Sequence, residues 1–140
     1  MNAIQGFLSL LGRVLLASIF LIALRHHLMQ FAQINQALTD KQIPAPAVVH
    51  VLAIGFMAIG GISLILGYKA RFGAVLLLVF LGVAGYYFHN FWRFSPGLDR
   101  EDALSQFLKN LALMGAMLFI VANGPGAWSL DECLKKTPPD

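Results

Sequence analysis

Charged residues are scarce in this chain, and acidic residues are the scarcest of them. Charged side chains make up 12% of the 140 residues, whereas hydrophobic ones make up 58%; a soluble domain carries about 25% charged residues. A chain of this length ordinarily forms one globular unit, and its core cannot hide so much apolar surface. The composition therefore excludes an ordinary soluble domain, and the excess apolar surface is expected to face lipid.

Several chemical sites are excluded in the same way. Cys133 is the single cysteine, which rules out an internal disulfide, a CxxC redox pair and a thiolate metal cage. The net charge of +3 comes with no basic run, so no nucleic-acid partner is predicted. The chain contains no hydrolytic triad pattern, HExxH sequence or phosphate loop, and no catalytic residue is predicted. Arg13 interrupts the first apolar run and no basic segment precedes it, which does not favour a signal peptide.

Four long apolar stretches occupy most of the remaining sequence. We predict a single transmembrane domain over residues 1–140, with spans at about 13–34, 46–67, 72–91 and 104–123. The second stretch, at about 1.5 Å per residue, rises roughly 33 Å, which is enough to cross a hydrocarbon core of about 30 Å. In lipid the backbone must satisfy its own hydrogen bonds. The expected fold is therefore all-α, an integral membrane bundle of four antiparallel helices.

The links between these stretches are short and polar. Residues 36–45 are predicted as a longer first loop, 68–71 as a tight turn, 93–102 as an acidic third loop, and 132–140 as a loose polar tail. Short links force neighbouring helices to run antiparallel. An even number of spans places both termini on one side, together with Lys69, Arg71, Lys135 and Lys136. The count of basic residues does not discriminate between the two orientations under the positive-inside rule, since five others lie toward the opposite side: Arg25, Lys41, Arg93, Arg100 and Lys109. The preferred orientation has both termini in the cytoplasm.

Antiparallel alternation also gathers polar residues in one leaflet. All four histidines of the chain belong to this set, which lies near the ends of helices 1 and 3 and the starts of helices 2 and 4: Arg25, His26, His27, His50, His89, Asn90, Lys109 and Asn110. Ionisable groups at membrane depth usually face the bundle interior or a wet cavity. His50 adjoins a loop and is interpreted as an interfacial residue only.

Two binding functions suit this cluster. A quinone headgroup could be held by hydrogen bonds from His27, His89 and Lys109, with contributions from His26 and Asn110, and with Tyr86, Tyr87 and Trp92 as aromatic walls. Alternatively, histidines on two helices could ligate a haem or another metal from opposite sides, which is the less favoured of the two; no residue is assigned as a metal ligand. A simpler interpretation competes with both functions. The histidine and lysine side chains would extend toward the lipid headgroups, and the aromatic side chains would form an interfacial belt.

Several short segments resemble the DoxX family of small bacterial membrane proteins, over about residues 12–131. They are Gly12-Arg13-Val14-Leu15-Leu16, Ile43-Pro44-Ala45-Pro46, Gly60-Gly61, His89-Asn90-Phe91-Trp92, Lys109-Asn110-Leu111-Ala112-Leu113 and Gly124-Pro125-Gly126-Ala127-Trp128-Ser129-Leu130-Asp131. The resemblance implies a four-helix protein of the bacterial inner membrane. It also implies membership of redox complexes, because some relatives are membrane subunits of thiosulfate:quinone oxidoreductase.

The chain departs from the family pattern at two chemically important positions. His27 stands where the family commonly carries a lysine, and Met57 where a glutamate commonly precedes the Gly-Gly pair. No acidic residue falls inside a predicted span. The leading hypothesis is therefore a non-catalytic accessory subunit of a larger membrane bioenergetic or redox complex. The alternatives are a quinone-reactive subunit of an oxidoreductase and, with less support, a lipid or small-solute carrier.

Overall fold

The computed structural model describes residues 3–136, which are almost entirely helical and contain no strand. The helices are α1 (Ala3–Met29), α2 (Phe31–Asp40), α3 (Pro46–Leu66), α4 (Ala70–Phe88), α5 (Leu98–Asn123) and α6 (Leu130–Lys136), with a 3₁₀ turn at Phe91–Arg93. Four of them, α1, α3, α4 with its following turn, and α5, are long and apolar enough to cross a membrane. The prediction of an all-α membrane bundle with four spans is confirmed.

The spanning helices pack in chain order. α1 packs against α3, α3 against α4, and α4 against α5, while α1 and α5 make no contact of comparable extent. α4 contributes the largest share of the core, which also takes residues from the other three: Ala17, Phe20, Leu64, Ala70, Ala74, Leu77, Leu81, Met117 and Ile120. The outer faces of α1 and α5 are covered with exposed aliphatic and aromatic side chains. These faces are the surplus apolar surface that the composition assigns to lipid.

The helix bounds differ from the predicted spans at both ends of α1. α1 begins at Ala3 and ends at Met29, where Gln30 (φ −113°, ψ 36°) breaks the helix before α2 starts. The helix then continues to Asp40, so the loop predicted from residue 36 onward is helical in its first half. Hydropathy identifies residues 36–40 only as a polar link between spans. A short helix can still form there when one of its faces packs against the bundle, and Leu38 is the buried residue of that face.

Two other predicted polar segments are also helical. α5 begins at Leu98 rather than near residue 104, with Asp99 and Glu101 in its first turn, where carboxylates interact favourably with the helix dipole. The tail predicted to be loose from residue 132 is helical as far as Lys136; residues 137–140 of that prediction lie outside the described residues. α5 ends at Asn123, directly before the Gly-Pro-Gly triplet that was expected to stop it.

The segment that begins with that triplet, residues 124–132, folds back on the bundle; we call it the C-terminal clasp. Arg13, which is only 3% exposed, donates from Nη2 to the Trp128 carbonyl at 2.6 Å and from Nη1 to the Leu64 carbonyl at 3.5 Å. The Asp131 carboxylate accepts the Lys69 and Ala70 amides at 2.8 and 3.1 Å. Asp131 thereby satisfies first-turn donors of α4 that have no partner within the helix.

Candidate functional site

A cavity of about 410 Å³ lies at the opposite end of the bundle from the C-terminal clasp. Its polar lining comes from all four histidines of the chain and from one amide, and the rest is aliphatic or phenylalanine. The polar residues are His26, His27, His50, His89 and Asn110. The volume falls within the range of about 300–1,000 Å³ that is typical of small-molecule sites. The expected gathering of the histidines at one end is therefore observed, and a cavity lies between them.

Two of these polar side chains, His50 and His27, form a continuous hydrogen-bonded chain with Asn35, which lies outside the cavity lining. His50 Nδ1 lies 2.8 Å from Asn35 Oδ1, and His50 Nε2 lies 3.1 Å from His27 Nδ1. Asn35 belongs to α2, His50 to α3 and His27 to α1. The chain links the end of the first span to the start of the second and ends on an imidazole that lines the cavity.

His50 is the centre of this arrangement, and the interpretation of it as a merely interfacial residue is wrong. Its side chain is 1% exposed, and both ring nitrogens have side-chain partners. The Phe31 ring stacks on it with centroids 4.5 Å apart and planes inclined by 18°. Burial of this kind requires that both ring nitrogens be hydrogen-bonded, and the surrounding helices provide the partners.

The structure brings together four of the five residues predicted for the site. His26, His27, His89 and Asn110 line the cavity, and Asn110 Nδ2 also donates to the Leu81 carbonyl at 3.4 Å. Lys109 does not line it: its side chain is exposed on α5. Adjacent positions on a helix point about 100° apart, so Asn110 and Lys109 cannot both face the same cavity.

The aromatic walls differ from those that the sequence suggested. Phe20, Phe80 and Phe88 line the cavity, and none of Tyr86, Tyr87 and Trp92 does. Tyr86 and Trp92 instead line an adjoining crevice of about 280 Å³ between α4 and α5, together with Phe107 and the two glycines Gly82 and Gly85. Leu81 and Asn110 line both spaces. Two of the three predicted walls therefore belong to the neighbouring crevice, and Tyr87 lines neither.

Sequence reasoning missed Asn35, and it assigned no role to Lys41. Lys41 Nζ lies 5.0 Å from the centroid of the Phe88 ring, a cation–π distance that places a positive charge beside the cavity wall. Both residues belong to the stretch between the first two spans. An amphipathic pattern in residues 31–40 was the available signal, since Ile34, Ala37 and Leu38 recur at helical spacing and all three line the cavity.

The cavity reaches the lipid-facing surface of the bundle. Ile19 on α1 and Val83 on α4 both line it, and they remain 47% and 43% exposed. Both belong to helices that are long and apolar enough to span the membrane. A ligand dissolved in the bilayer could therefore reach the histidines without passing through water.

The His27–His50 pair has the spacing of a direct hydrogen bond, because His27 Nδ1 and His50 Nε2 lie 3.1 Å apart. Within residues 3–136, no group of three histidine, cysteine or acidic side chains is placed to hold a metal ion. The cavity presents imidazoles and one amide, which can form hydrogen bonds, among aliphatic and phenylalanine side chains.

Comparison with known proteins agrees with this architecture. Residues 8–90 match the family model described as DoxX. The chain belongs to the DoxX family. No solved structure matches the chain.

Curated relatives of this DoxX protein occur in bacteria and in eukaryotes. Surfeit locus protein 4 homologs of Drosophila melanogaster and Schizosaccharomyces pombe are 30% and 33% identical, over 96% and 91% of the chain. The chain spans only 44% and 38% of those two proteins. Inner membrane protein YqjF of Escherichia coli is 27% identical over 91% of the chain and 92% of its own length. These names support a multi-pass membrane protein.

Proposed function

We propose that this DoxX protein is an accessory membrane subunit of a redox complex and that it holds a quinone-class molecule in the histidine cavity. The observation that carries the proposal is the Asn35–His50–His27 chain, which ends at a mainly apolar cavity whose lining reaches the lipid-facing surface. A quinone combines a small polar ring with a long apolar tail. The cavity offers the same combination, with imidazoles at one end and aliphatic and phenylalanine side chains around them.

The polar groups have distinct parts in this proposal. His27, His89 and His26 form hydrogen bonds with the ring oxygens, while Phe20, Phe80 and Phe88 pack against the ring and the first part of the tail. Asn110 lies across the cavity on α5 and offers its amide to the same ring. The bound molecule would supply two-electron redox chemistry, and this chain would orient its ring and exclude water from it.

The accessory character rests on how little of the chain lies outside the spans. In residues 3–136 the links between spanning helices are short, the longest being the stretch with α2. Electrons are therefore expected to come from a partner subunit, as the family resemblance implies. Purification in mild detergent from native membranes tests this part. Recovery of the chain alone, as a monomer with catalytic turnover, would contradict it.

The ligand proposal predicts a specific loss on filling the cavity. Ala53 lines the cavity on α3, one turn from His50, so Ala53→Leu should displace the ring. We expect protein purified in native-lipid nanodiscs to yield co-extracted quinone by mass spectrometry, and the Ala53→Leu variant to yield at most about a tenth as much, since the added atoms occupy the ring's volume.

Ala112→Leu is the matched control, because Ala112 is exposed on α5 and lies outside the cavity lining. This variant should retain the wild-type quinone content. Equal content in all three proteins, or no quinone above the content of empty nanodiscs in the wild type, would refute the ligand proposal.

We also propose that the chain lies in the bacterial inner membrane with both termini in the cytoplasm. The Escherichia coli relative YqjF is named an inner membrane protein, which supports the choice of membrane, and the basic residues Lys69, Arg71 and Lys135 near the clasp are the basis for the orientation. The histidine cavity would then lie in the outer half of the bilayer.

The single cysteine makes the orientation measurable. Cys133 is exposed on α6, beside the C-terminal clasp, whereas Ser95 is exposed in the link between α4 and α5 at the other end of the bundle. A membrane-impermeant maleimide applied to intact spheroplasts should leave Cys133 unlabelled and should label a Ser95→Cys, Cys133→Ser variant. The reverse pattern would place both termini outside.

A further inference from the structure

We infer that the histidine cavity selects the reduced, hydroxyl-bearing form of its ligand, a lipid-soluble hydroquinone or related phenol, through a hydrogen-bond acceptor at His27 Nε2. This inference rests on the proposed function and specifies which redox form is bound. It follows from the direction of the hydrogen bonds in the Asn35–His50–His27 chain.

The direction starts at Asn35, whose side-chain oxygen can only accept. Asn35 Oδ1 faces His50 Nδ1 at 2.8 Å, so His50 Nδ1 carries the proton and donates it. A neutral imidazole with a proton on Nδ1 has a lone pair on Nε2. His50 Nε2 therefore accepts the bond from His27 Nδ1 at 3.1 Å, which places the proton of His27 on Nδ1.

The same rule then determines the second nitrogen of His27. With its proton on Nδ1, neutral His27 has a lone pair on Nε2. Within residues 3–136 this nitrogen has no protein hydrogen-bond partner, and it is not among the fully buried polar atoms. Because the His27 ring lines the cavity, Nε2 is open to a ligand there and can only accept.

An acceptor at this position discriminates between the two redox forms of a quinone. A hydroquinone hydroxyl donates a hydrogen bond to His27 Nε2. A quinone carbonyl has no proton to donate, so its oxygen lone pair would face the lone pair of Nε2. Leaving Nε2 without a hydrogen bond in an apolar site costs a free energy comparable to that of the hydrogen bond itself. Asn35 and His50 are positioning residues in this scheme, because they act on the ligand only through the protonation site of His27.

Two measurements on the wild-type protein test the inference. Nitrogen-15 NMR of histidine-labelled protein in nanodiscs should show a proton on Nδ1 of His27 and none on Nε2, the signal being assigned by its loss in His27→Gln. Decylhydroquinone, held reduced under argon, should bind about tenfold more tightly than decylbenzoquinone, which corresponds to one hydrogen bond. A His27 proton on Nε2, or equal or tighter binding of the benzoquinone, would overturn it.

Variants on α2 separate the positioning effect from a loss of fold. Asn35→Leu removes the acceptor, so His50 and His27 should populate both protonation sites in the nitrogen-15 spectrum and the preference for decylhydroquinone should fall to about threefold or less. Gln36→Leu is the control, because Gln36 is exposed and bonds to Asp40 rather than to the histidines. An unchanged spectrum and preference in Asn35→Leu would contradict the role of Asn35.

The outcomes distinguish this inference from the function on which it rests. If both probes bind equally and Ala53→Leu displaces both, the cavity is a quinone site and the selection for the reduced form is wrong. If neither probe binds, the proposed function falls and the inference falls with it.

Discussion

Replacing Arg13 by alanine is expected to loosen the C-terminal clasp around Trp128 and to lower the free energy of unfolding by about 2–4 kcal/mol, since three backbone carbonyls lose a charged donor. The guanidinium is buried and donates to carbonyls of three separate segments, those of Ser9, Leu64 and Trp128. Asp131 would still hold the clasp through the start of α4. The variant should therefore keep its four spans while losing the order of the clasp around Trp128.

Trp128 provides the measurement, because an added Cβ on Gly6 would collide with its indole ring, which shows how closely the ring lies against α1. In a Trp92→Phe background Trp128 is the only tryptophan, and acrylamide should quench its fluorescence more strongly in Arg13→Ala. The acrylamide quenching of the Arg13→Lys variant should lie between those of the wild type and of Arg13→Ala, because a lysine ammonium cannot make all the hydrogen bonds of the planar guanidinium.

Arg25→Ala is the matched control for Arg13. Arg25 lies on the same helix but its side chain is exposed, so both the quenching and the unfolding midpoint in detergent should remain at the wild-type values. If Arg13→Ala and Arg25→Ala behave alike, Arg13 does not hold the clasp.

Hydropathy alone predicts the four spans, and chain alternation alone predicts that the histidines meet. Both follow from general constraints on a spanning helix. Its backbone N–H and C=O groups must hydrogen-bond within the helix, and short links require neighbouring helices to run antiparallel. His27, His50 and His89 therefore had to lie at one end, whatever their individual contacts. The existence of the cluster is a consequence of topology.

The pairing of Asn35 with His50 could not be predicted in this way. It depends on where the chain breaks at Gln30 and how it turns between Asp40 and Pro46, where Gln42 and Ala45 adopt positive φ angles of 57° and 48°. Such angles are uncommon outside glycine and have no signature in hydropathy. The conformation of that turn sets how α2 is placed against α3, and thereby whether Asn35 reaches His50.

The segments that resemble the DoxX family lie at both ends of the helical bundle. Arg13, Gly67 and Asp131 are far apart in sequence but meet at the clasp, where their hydrogen-bond partners are backbone groups. Gly67 has φ +63°, and an added Cβ would collide with the Arg13 guanidinium. These residues stabilise the fold, whereas the hydrogen-bonded chain proposed to act on the ligand consists of Asn35, His50 and His27, which lie outside the segments that resemble the family.

Replacing Gly60 by leucine is expected to separate α3 from α4 and to destabilise the protein by about 3 kcal/mol, the upper part of the range for overpacking a core. A Cβ built on Gly60 lies 2.5 Å from Leu77 Cγ and 3.0 Å from the Gly73 carbonyl oxygen. The first neighbour is a side chain that could move, but the second is backbone of the facing helix. Thermal unfolding in detergent, followed by loss of the monodisperse peak on gel filtration, measures the effect.

Gly55 on the same helix is the control, because an added Cβ there meets nothing within 4 Å. Gly55→Ala should be neutral or stabilising by up to about 1 kcal/mol, from the better helix propensity of alanine, while Gly60→Ala should destabilise despite the same gain in propensity. Because Leu77 is the nearest neighbour, the Gly60→Ala, Leu77→Ala double variant should be less unstable than the sum of the single effects. If the destabilisation of the double variant equals the sum of the two single effects, the contact between Gly60 and Leu77 does not set the distance between α3 and α4.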